Sequence, residues 1–386
     1  MKKALALVLC LCLTLPLCFF SAVAAEEKSE GTANTLSLTA KSAVLMEAKT
    51  GKILYAHNEN EALPPASVTK VMTLLLTMEA IQSGKISWED TVTVSERAAS
   101  MGGSQIFLEP GETMSVTDMV KSVVIASAND AAVALAEHIA GSEEAFVSQM
   151  NRRALELGMV NTRFENTNGL DDTVEKHLIS AKDIAIMSRE LIKYPQILEY
   201  SSTWMDTIRS GAFTLTNTNR LVRFYPGATG LKTGSTARAG FCISATAERD
   251  GVELIAVIMG AESRDTRNAE AKKLLDYGFA SYGVYEDQRT DIAPIALKGA
   301  GEETLALRAD SFTYALPKEK IPSVTYKITL PEYLRAPVSR SEKVGKVEYF
   351  LDGECIGEAG IYAVDDAAAI TFGEIFNRLL RAFTLG

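Results

Sequence analysis

The chain has 386 residues, of which 47% are hydrophobic and 23% charged. That length suggests two or three domains at roughly 150 residues each, and the composition excludes a wholly disordered, collagen-like or disulfide-stapled protein. A formal net charge of −10 leaves no global positive field to gather nucleic acid, so no nucleic-acid partner is expected.

The N-terminus places Lys2 and Lys3 before an uncharged apolar run from Ala4 to Phe20, then the small residues Ser21 to Ala25. This order reads as a secretory signal peptide over residues 1–25. Pro16, the brevity of the run and Ala22-x-Ala24 favour cleavage over a retained anchor. Cys10, Cys12 and Cys18 lie in the leader, so the exported chain keeps only Cys242 and Cys355 and no disulfide framework is expected. Cys18 follows Leu17 rather than a small residue, which argues against lipidation.

A polar lead-in ends near Leu36. Ser42–Glu47 and Lys52–Ala56, joined by the turn-prone Lys49-Thr50-Gly51, predict an antiparallel hairpin. Pro64-Pro65 then stops extended structure. From Ser67 to Ile81, Val71, Leu74, Leu75, Met78 and Ile81 recur at steps of three and four, predicting a helix with one buried face. Further helices are expected over Val116–Ile125, Asp130–Ile139, Glu143–Leu157 and Ala181–Leu191. Strands follow at Leu231–Thr236, Gly240–Ala247 and Val252–Met259, and then a helix at Ala269–Tyr277.

This order predicts an α+β domain, residues 36–285, whose first hairpin pairs with the late strands in a mainly antiparallel sheet flanked by helices. Residues 292–364 read as a small all-β domain, with strands Val347–Asp352 and Glu358–Ala363 around Gly353-Glu354. In the tail, residues 371–386, a helix would put Phe372, Ile375, Phe376, Leu379, Leu380 and Phe383 on one face. That amphipathic helix suits a membrane interface or docking on its own domain, and is too short to span a bilayer.

Three short motifs carry chemistry. Ser67-Val68-Thr69-Lys70 sets a hydroxyl and an amine three residues apart on one helical face, where a lysine of lowered pKa can act as base toward serine. Ser127-Ala128-Asn129 offers a hydroxyl and an amide in a turn between helices, although Asn129 or Asp130 would equally serve as a helix N-cap. Lys232-Thr233-Gly234, at the start of a strand, offers a cation and a hydroxyl beside a residue that lets backbone approach. Each alone is weak; in this order they match the set of penicillin-binding proteins and class A β-lactamases.

On these motifs the chain resembles the low-molecular-mass penicillin-binding proteins that are serine-type D-alanyl-D-alanine carboxypeptidases, most closely those of spore-forming Gram-positive bacteria. Gly103 to Gly111, Ser127 to Ala132, Leu231 to Thr236 and Leu274 to Phe279 support the resemblance, which covers residues 36 to 386. Ala128 stands where the family commonly has glycine, a change of one methyl group. The resemblance implies that Ser67 attacks the carbonyl between the two D-alanines of a peptidoglycan stem peptide, that Lys70 takes its proton, and that Ser127 returns one to the leaving D-alanine. Asn129 would position the stem amide. Lys232, Thr233 and Arg267 would hold the terminal carboxylate beside Gly234. Backbone N–H groups of Ser67 and of the strand after Gly234 would stabilise the oxyanion. Penicillin and other β-lactams would leave Ser67 acylated. The enzyme would be exported to the outer face of the cytoplasmic membrane or the cell wall, with the tail helix on the membrane surface.

Two rivals remain. A β-lactamase shares the fold, but no E-x-x-L-N segment lies between Ser127 and Lys232, and the extra β domain argues against it. A catalytically silent wall-binding scaffold would carry Ser67 and Lys70 as relics. No cofactor or metal is expected: Leu231 breaks the phosphate-loop spacing before Lys232, no G-x-S-x-G or H-E-x-x-H occurs, and His57, His138 and His177 are read as structural.

Overall fold

In the computed structural model, the described residues are 36–289 and 292–384, so the expected signal peptide and the polar lead-in lie outside them. Strands β1 (Ser42–Glu47) and β2 (Ile53–His57) form the expected hairpin, with Leu45 opposite Tyr55. A 3-10 turn, Ala66–Thr69, runs straight into α1 (Lys70–Gln82). Sequence periodicity gives α1 one buried face, but Val71, Met72, Leu74, Leu75, Leu76 and Met78 are all buried together with Thr73 and Thr77. The helix is central and surrounded, so its pattern carries little amphipathic contrast. Thr73 and Thr77 are accommodated because their hydroxyls donate to the carbonyls of Thr167 and Thr73.

A two-stranded ribbon of β3 (Thr91–Thr93) and β4 (Thr113–Ser115) brackets α2 (Glu96–Ala99). Helices α3 (Val116–Ile125), α4 (Asn129–Ala140), α5 (Glu143–Glu156), α6 (Ala181–Leu191) and α7 (Pro195–Ser202) follow. Ser115, Ser142 and Ser180 cap α3, α5 and α6 by accepting from backbone N–H groups of the first turn. The expected cap of α4 by Asn129 or Asp130 does not form. Its N-cap is Ala128, and both side chains turn inward, where each meets stronger partners.

After the ribbon β5 (Met205–Ile208) and β6 (Phe213–Thr216) and a single turn α8 (Leu221–Phe224) come three long strands, β7 (Ala228–Thr236), β8 (Gly240–Arg249) and β9 (Val252–Ala261). The sheet order is β2-β1-β9-β8-β7, antiparallel throughout, with Val44 opposite Val257. The first hairpin therefore pairs with the late strands. Helix α9 (Arg264–Ser281) begins five residues before the expected Ala269, because the Ser263 hydroxyl accepts from the Thr266 N–H and starts the helix there. Arg267 thus stands in its first turn. Both α6 and α9 pack on β9.

Strand β10 (Tyr282–Asp287) pairs with a strand of the following all-β region, so the segment ending at 285 is tied into what comes next. That region contains β11 (Ile295–Lys298), β12 (Thr304–Leu305), β13 (Leu307–Ala309), β14 (Phe312–Pro317), β15 (Thr325–Thr329), β16 (Tyr333–Arg335), β17 (Lys343–Leu351) and β18 (Glu354–Ala363). One sheet runs β13-β18-β17-β15; another runs β12-β11-β16 and contains a parallel pair, β11 with β16. The turn between β17 and β18 is Asp352-Gly353, with φ of 52° and 88°, so Glu354 belongs to the strand rather than to the turn. Phe312 stacks on Tyr349 at 3.9 Å in this second core. Last comes α10 (Phe372–Thr384), whose Phe372, Ile375, Phe376, Leu379, Leu380 and Phe383 are exposed. Among the described residues no helix is long and apolar enough to cross a membrane.

Candidate active site

Ser67 sits in the 3-10 turn that leads into α1. The residue before it, Ala66, is held at φ 49°, a left-handed conformation that costs a non-glycine residue on the order of 1 kcal/mol or more. A chain of side chains keeps it there. The Glu165 backbone N–H donates to His177 Nδ1 at 3.0 Å, which leaves the proton on Nε2; that nitrogen faces Thr69 Oγ1 at 2.7 Å, and Thr69 Oγ1 donates to the Ala66 carbonyl at 2.8 Å. Burial pushes His177 down to about 4, so the ring stays neutral. Gly169, at φ 87°, lies against the same carbonyl, and a Cβ there would come within 1.9 Å of Ala66 O. His177 is therefore structural, as its sequence context suggests, and what it braces is the turn carrying Ser67.

The helical spacing of Ser67 and Lys70 brings them together: Lys70 Nζ lies 3.0 Å from Ser67 Oγ. It also donates to Asn129 Oδ1 at 2.5 Å and to the Asn168 carbonyl at 2.7 Å. Two of these partners are oxygens that can only accept, whereas Ser67 Oγ can also donate. A neutral amine satisfies the set with two N–H groups on the carbonyls and its lone pair toward the Ser67 hydroxyl. Electrostatics favour that form. Burial lowers the Lys70 pKa well below the ordinary lysine value, Lys232 lowers it further, and only Asp130 opposes.

Asn129 reaches this site because α4 starts at it, and its Nδ2 donates to the Gly102 carbonyl at 2.6 Å. It thus ties Lys70 to the loop before α3. The Asp130 carboxylate accepts from the Ile106 and Leu108 backbone N–H groups and fixes the same loop. Ser127 adopts φ 63°, and its hydroxyl makes no hydrogen bond among the described residues while lining the cleft.

Lys232 lies within β7 rather than at its start, fully buried, with Nζ donating to the Thr233 carbonyl at 3.0 Å. Burial, then the Arg267 charge, bring it down to about 7. Thr233 Oγ1 donates to Thr218 Oγ1 at 2.8 Å. Gly234 is where β7 meets the turn that carries Ser67: a Cβ would stand 2.6 Å from the Ser67 backbone nitrogen and 2.9 Å from the Pro65 carbonyl. Arg267 is buried, donates to Asn268 Oδ1 and is lowered to about 10 by burial and by Arg264.

The structure thus gathers all eight expected residues into one region, in two layers. Ser67, Ser127, Thr233, Gly234 and Arg267 line an open cleft of about 550 Å³. Lys70, Asn129 and Lys232 lie buried behind its wall. Sequence reasoning missed the Asn168 carbonyl, the His177–Thr69 brace, and the lining residues Trp204, Arg220 and Arg264. Among the described residues no group of three or more His, Cys, Asp or Glu could hold a metal ion.

The chain also has clear relatives among known proteins. The D-alanyl-D-alanine carboxypeptidase family matches residues 27–263, and the C-terminal domain of penicillin-binding protein 5 matches residues 292–368. The chain is 44% identical to the D-alanyl-D-alanine carboxypeptidase DacF of Bacillus subtilis over 357 residues, covering 90% of this chain and 91% of that one. Penicillin-binding protein 5 of Haemophilus influenzae shares the fold with a TM-score of 0.74 at 33% identity, covering 86% of this chain and 98% of that one. Penicillin-binding protein D2 of Listeria monocytogenes, solved in its ampicillin-bound form, superposes with a TM-score of 0.58 at 33% identity, covering 63% of this chain and 99% of that one. The chain belongs to the D-alanyl-D-alanine carboxypeptidase family and is a serine-type hydrolase of that class.

Proposed function

We propose that Ser67 is the nucleophile of this carboxypeptidase and Lys70 its base. The observation that carries the assignment is the Ser67–Lys70 contact of 3.0 Å, made by a buried amine whose other partners are carbonyl oxygens. Lys70 Nζ takes the hydroxyl proton as Ser67 Oγ attacks the carbonyl between the two D-alanines of a stem peptide. The Ser67 backbone N–H and one from the strand just after Gly234 hold the oxyanion. Ser127 passes the proton to the departing D-alanine amine, and water then hydrolyses the acyl ester. Thr233 and Arg267 hold the terminal carboxylate at the cleft surface. Lys232 supports them from behind with its charge, and Asn129 aims Lys70. β-Lactams enter the same route and stop at the acyl-enzyme.

The test is incubation of the purified protein with a peptide ending in D-Ala-D-Ala, following free D-alanine, beside a penicillin-treated sample read by intact mass. D-Alanine release with a lasting adduct on Ser67 is expected. Rapid loss of the adduct would assign a β-lactamase, and no adduct would assign a silent scaffold.

The same reading extends to location. Lys2, Lys3, the apolar run and Ala22-x-Ala24 support export with cleavage after Ala25, placing the enzyme outside the cytoplasmic membrane, at the cell wall. Two separate apolar cores support a catalytic domain over 36–285 and a β domain over 292–364. The six exposed apolar residues of α10 beside Arg378 and Arg381 support a membrane-surface anchor over 371–386. Deleting 371–386 should release the protein from anionic lipid vesicles in a flotation assay; unchanged flotation would remove the anchor.

A further inference from the structure

Glu143 and Glu144 open α5, placed there by the end of α4 at Gly141, φ 83°, and by the Ser142 cap. Either acid suits the positive end of a helix. Glu144 stays in solvent, whereas Glu143 turns inward and is 7% exposed. Its Oε2 pairs with Arg97 at 3.1 Å, but the Arg97 side chain is 57% exposed, and a pair so open to water contributes little. The inward turn answers to a different segment. Glu143 Oε1 accepts from Thr167 Oγ1 at 2.9 Å and from the Thr167 backbone N–H at 3.3 Å. A buried carboxylate holds such donors firmly, because releasing them would leave its charge unsolvated. Thr167 is fully buried and is gripped from the other side as well, its carbonyl accepting from Thr73 Oγ1 at 2.6 Å. Thr73 stands one turn beyond Lys70 on α1.

The residue after Thr167 is Asn168, whose carbonyl accepts from Lys70 Nζ at 2.7 Å. Lys70 thus faces an oxygen whose neighbouring residue is clamped between α1 and α5. Asn168 Oδ1 accepts from the Leu170 N–H and Asn166 Oδ1 from the Gly169 N–H. Those bonds fix the shape of the turn, while Glu143 and Thr73 fix its place. The charges that move Lys70 are Lys232 and Asp130, so Glu143 reaches it through backbone rather than through its field. Around Glu143 stand Arg97 and, lining the same cavity of about 450 Å³, Glu144, Glu165 and Asp172. We propose that Glu143 is a positioning residue of the acylation step: through Thr167 it holds the Asn168 carbonyl where that oxygen aims the Lys70 amine at Ser67. The inference rests on the reading of Lys70 as base. With Glu143 shortened, Thr167 loses both of these bonds and the Asn168 carbonyl is free to withdraw. The amine then loses one of the two carbonyl oxygens that favour its protonated form, so it is aimed less well and stays neutral to lower pH.

The test follows the rate of penicillin acylation of the purified protein against pH, normalised to the sites labelled at saturation, so that a partly folded variant loses amplitude rather than rate. Wild type should slow toward acid as Lys70 takes a proton, and Lys70→Ala should lack that limb. Glu143→Ala should lower the plateau roughly tenfold and move the limb about one unit toward acid, the size of one hydrogen bond to an ammonium group. Thr167→Val should act in the same direction, and the double variant should be no worse than Glu143→Ala. Glu143→Gln keeps the acceptor, loses the charge, and should restore both plateau and limb. Three results would overturn the proposal. An unchanged profile in Glu143→Ala would make the residue idle, a lower plateau with an unmoved limb would make its role structural alone, and a Gln variant as impaired as the Ala variant would make charge the operative property. A wild-type profile without an acid limb, or a limb that persists in Lys70→Ala, would instead remove Lys70 as base, and the proposal with it.

Discussion

In the cleft, Lys70 and Lys232 are buried and meet carbonyl oxygens, and among the described residues neither forms an ion pair with a carboxylate. In the β domain, Lys346, Lys320 and Arg308 stand near the surface beside Glu348, Asp352 and Asp310. The two groups of cations obey opposite electrostatics. Removed from water without a counter-charge, each cleft cation loses proton affinity and weakens the next in line, from Arg267 to Lys232 to Lys70. Lys346, bonded to Glu348, is raised instead. Exposed pairs of that kind contribute little to stability and are screened by salt. On the proposed reading, the cleft gives up folding stability to keep the Lys70 amine available as a base, while the β domain keeps its cations beside carboxylates.

The comparison breaks most sharply at Ser67. Ser67→Ala should abolish both penicillin labelling and D-alanine release with little change in unfolding temperature, and Lys70→Ala should slow acylation by roughly 10²–10⁴. Labelling that persists in Ser67→Ala would reject Ser67 as the nucleophile, and near-normal acylation in Lys70→Ala would show that the buried amine is not the base.

Next in size is the brace. His177→Phe and Thr69→Val each cut the chain that holds Ala66, and a misplacement of about 1 Å at Ser67 is worth up to roughly a hundredfold in acylation rate. The double variant should be no slower than the worse single one, and KM should hardly move. Additive losses would make the two residues independent, and an unchanged rate would make the brace irrelevant to chemistry.

The pH dependence of stability sharpens the contrast further. Lys232 is neutral above about 7 in the folded chain but stays charged to about 10.5 when unfolded, so the unfolded state holds the extra proton in that window and stability grows as pH rises through it. Lys232→Met should raise the unfolding temperature at pH 7 by several degrees and flatten its rise toward pH 10. A fall at pH 7 would mean that the buried amine is stabilising after all. At the small end, Lys346→Ala should leave the unfolding temperature within about one degree and D-alanine release unchanged.

What the sequence made legible follows the length and regularity of each element. The hairpin at 42–57 and the strands at 228–261 run five residues or more between turn residues, and that suffices to show their type and even their pairing. The ribbons β3–β4 and β5–β6 have three or four residues per strand, too few alternations for a period to emerge. In the site, motifs revealed side chains that act through their own chemistry. They could not reveal Asn168, which supplies a backbone carbonyl that any residue could offer. Nor could they reveal Arg220, Arg264 and Trp204, which come from separate segments joined only by folding. Ala66 and Ser127 carry positive φ without being glycine, so nothing in their identity announced the strain that surrounding contacts impose.

Cys242 turns the close packing behind Ser67 into a clock. It lies on β8 opposite Gly234, fully buried, its Sγ 3.9 Å from the Pro64 carbonyl, and burial pushes its thiol up to about 11. A reagent that alkylates thiols meets Cys355 at once, since it is exposed, but reaches Cys242 only when β8 and the Pro64–Ser67 segment part. The slow phase of alkylation therefore reports how often the wall that supports Ser67 opens. An acyl group bridging Ser67 to β7 would lengthen the interval between those openings.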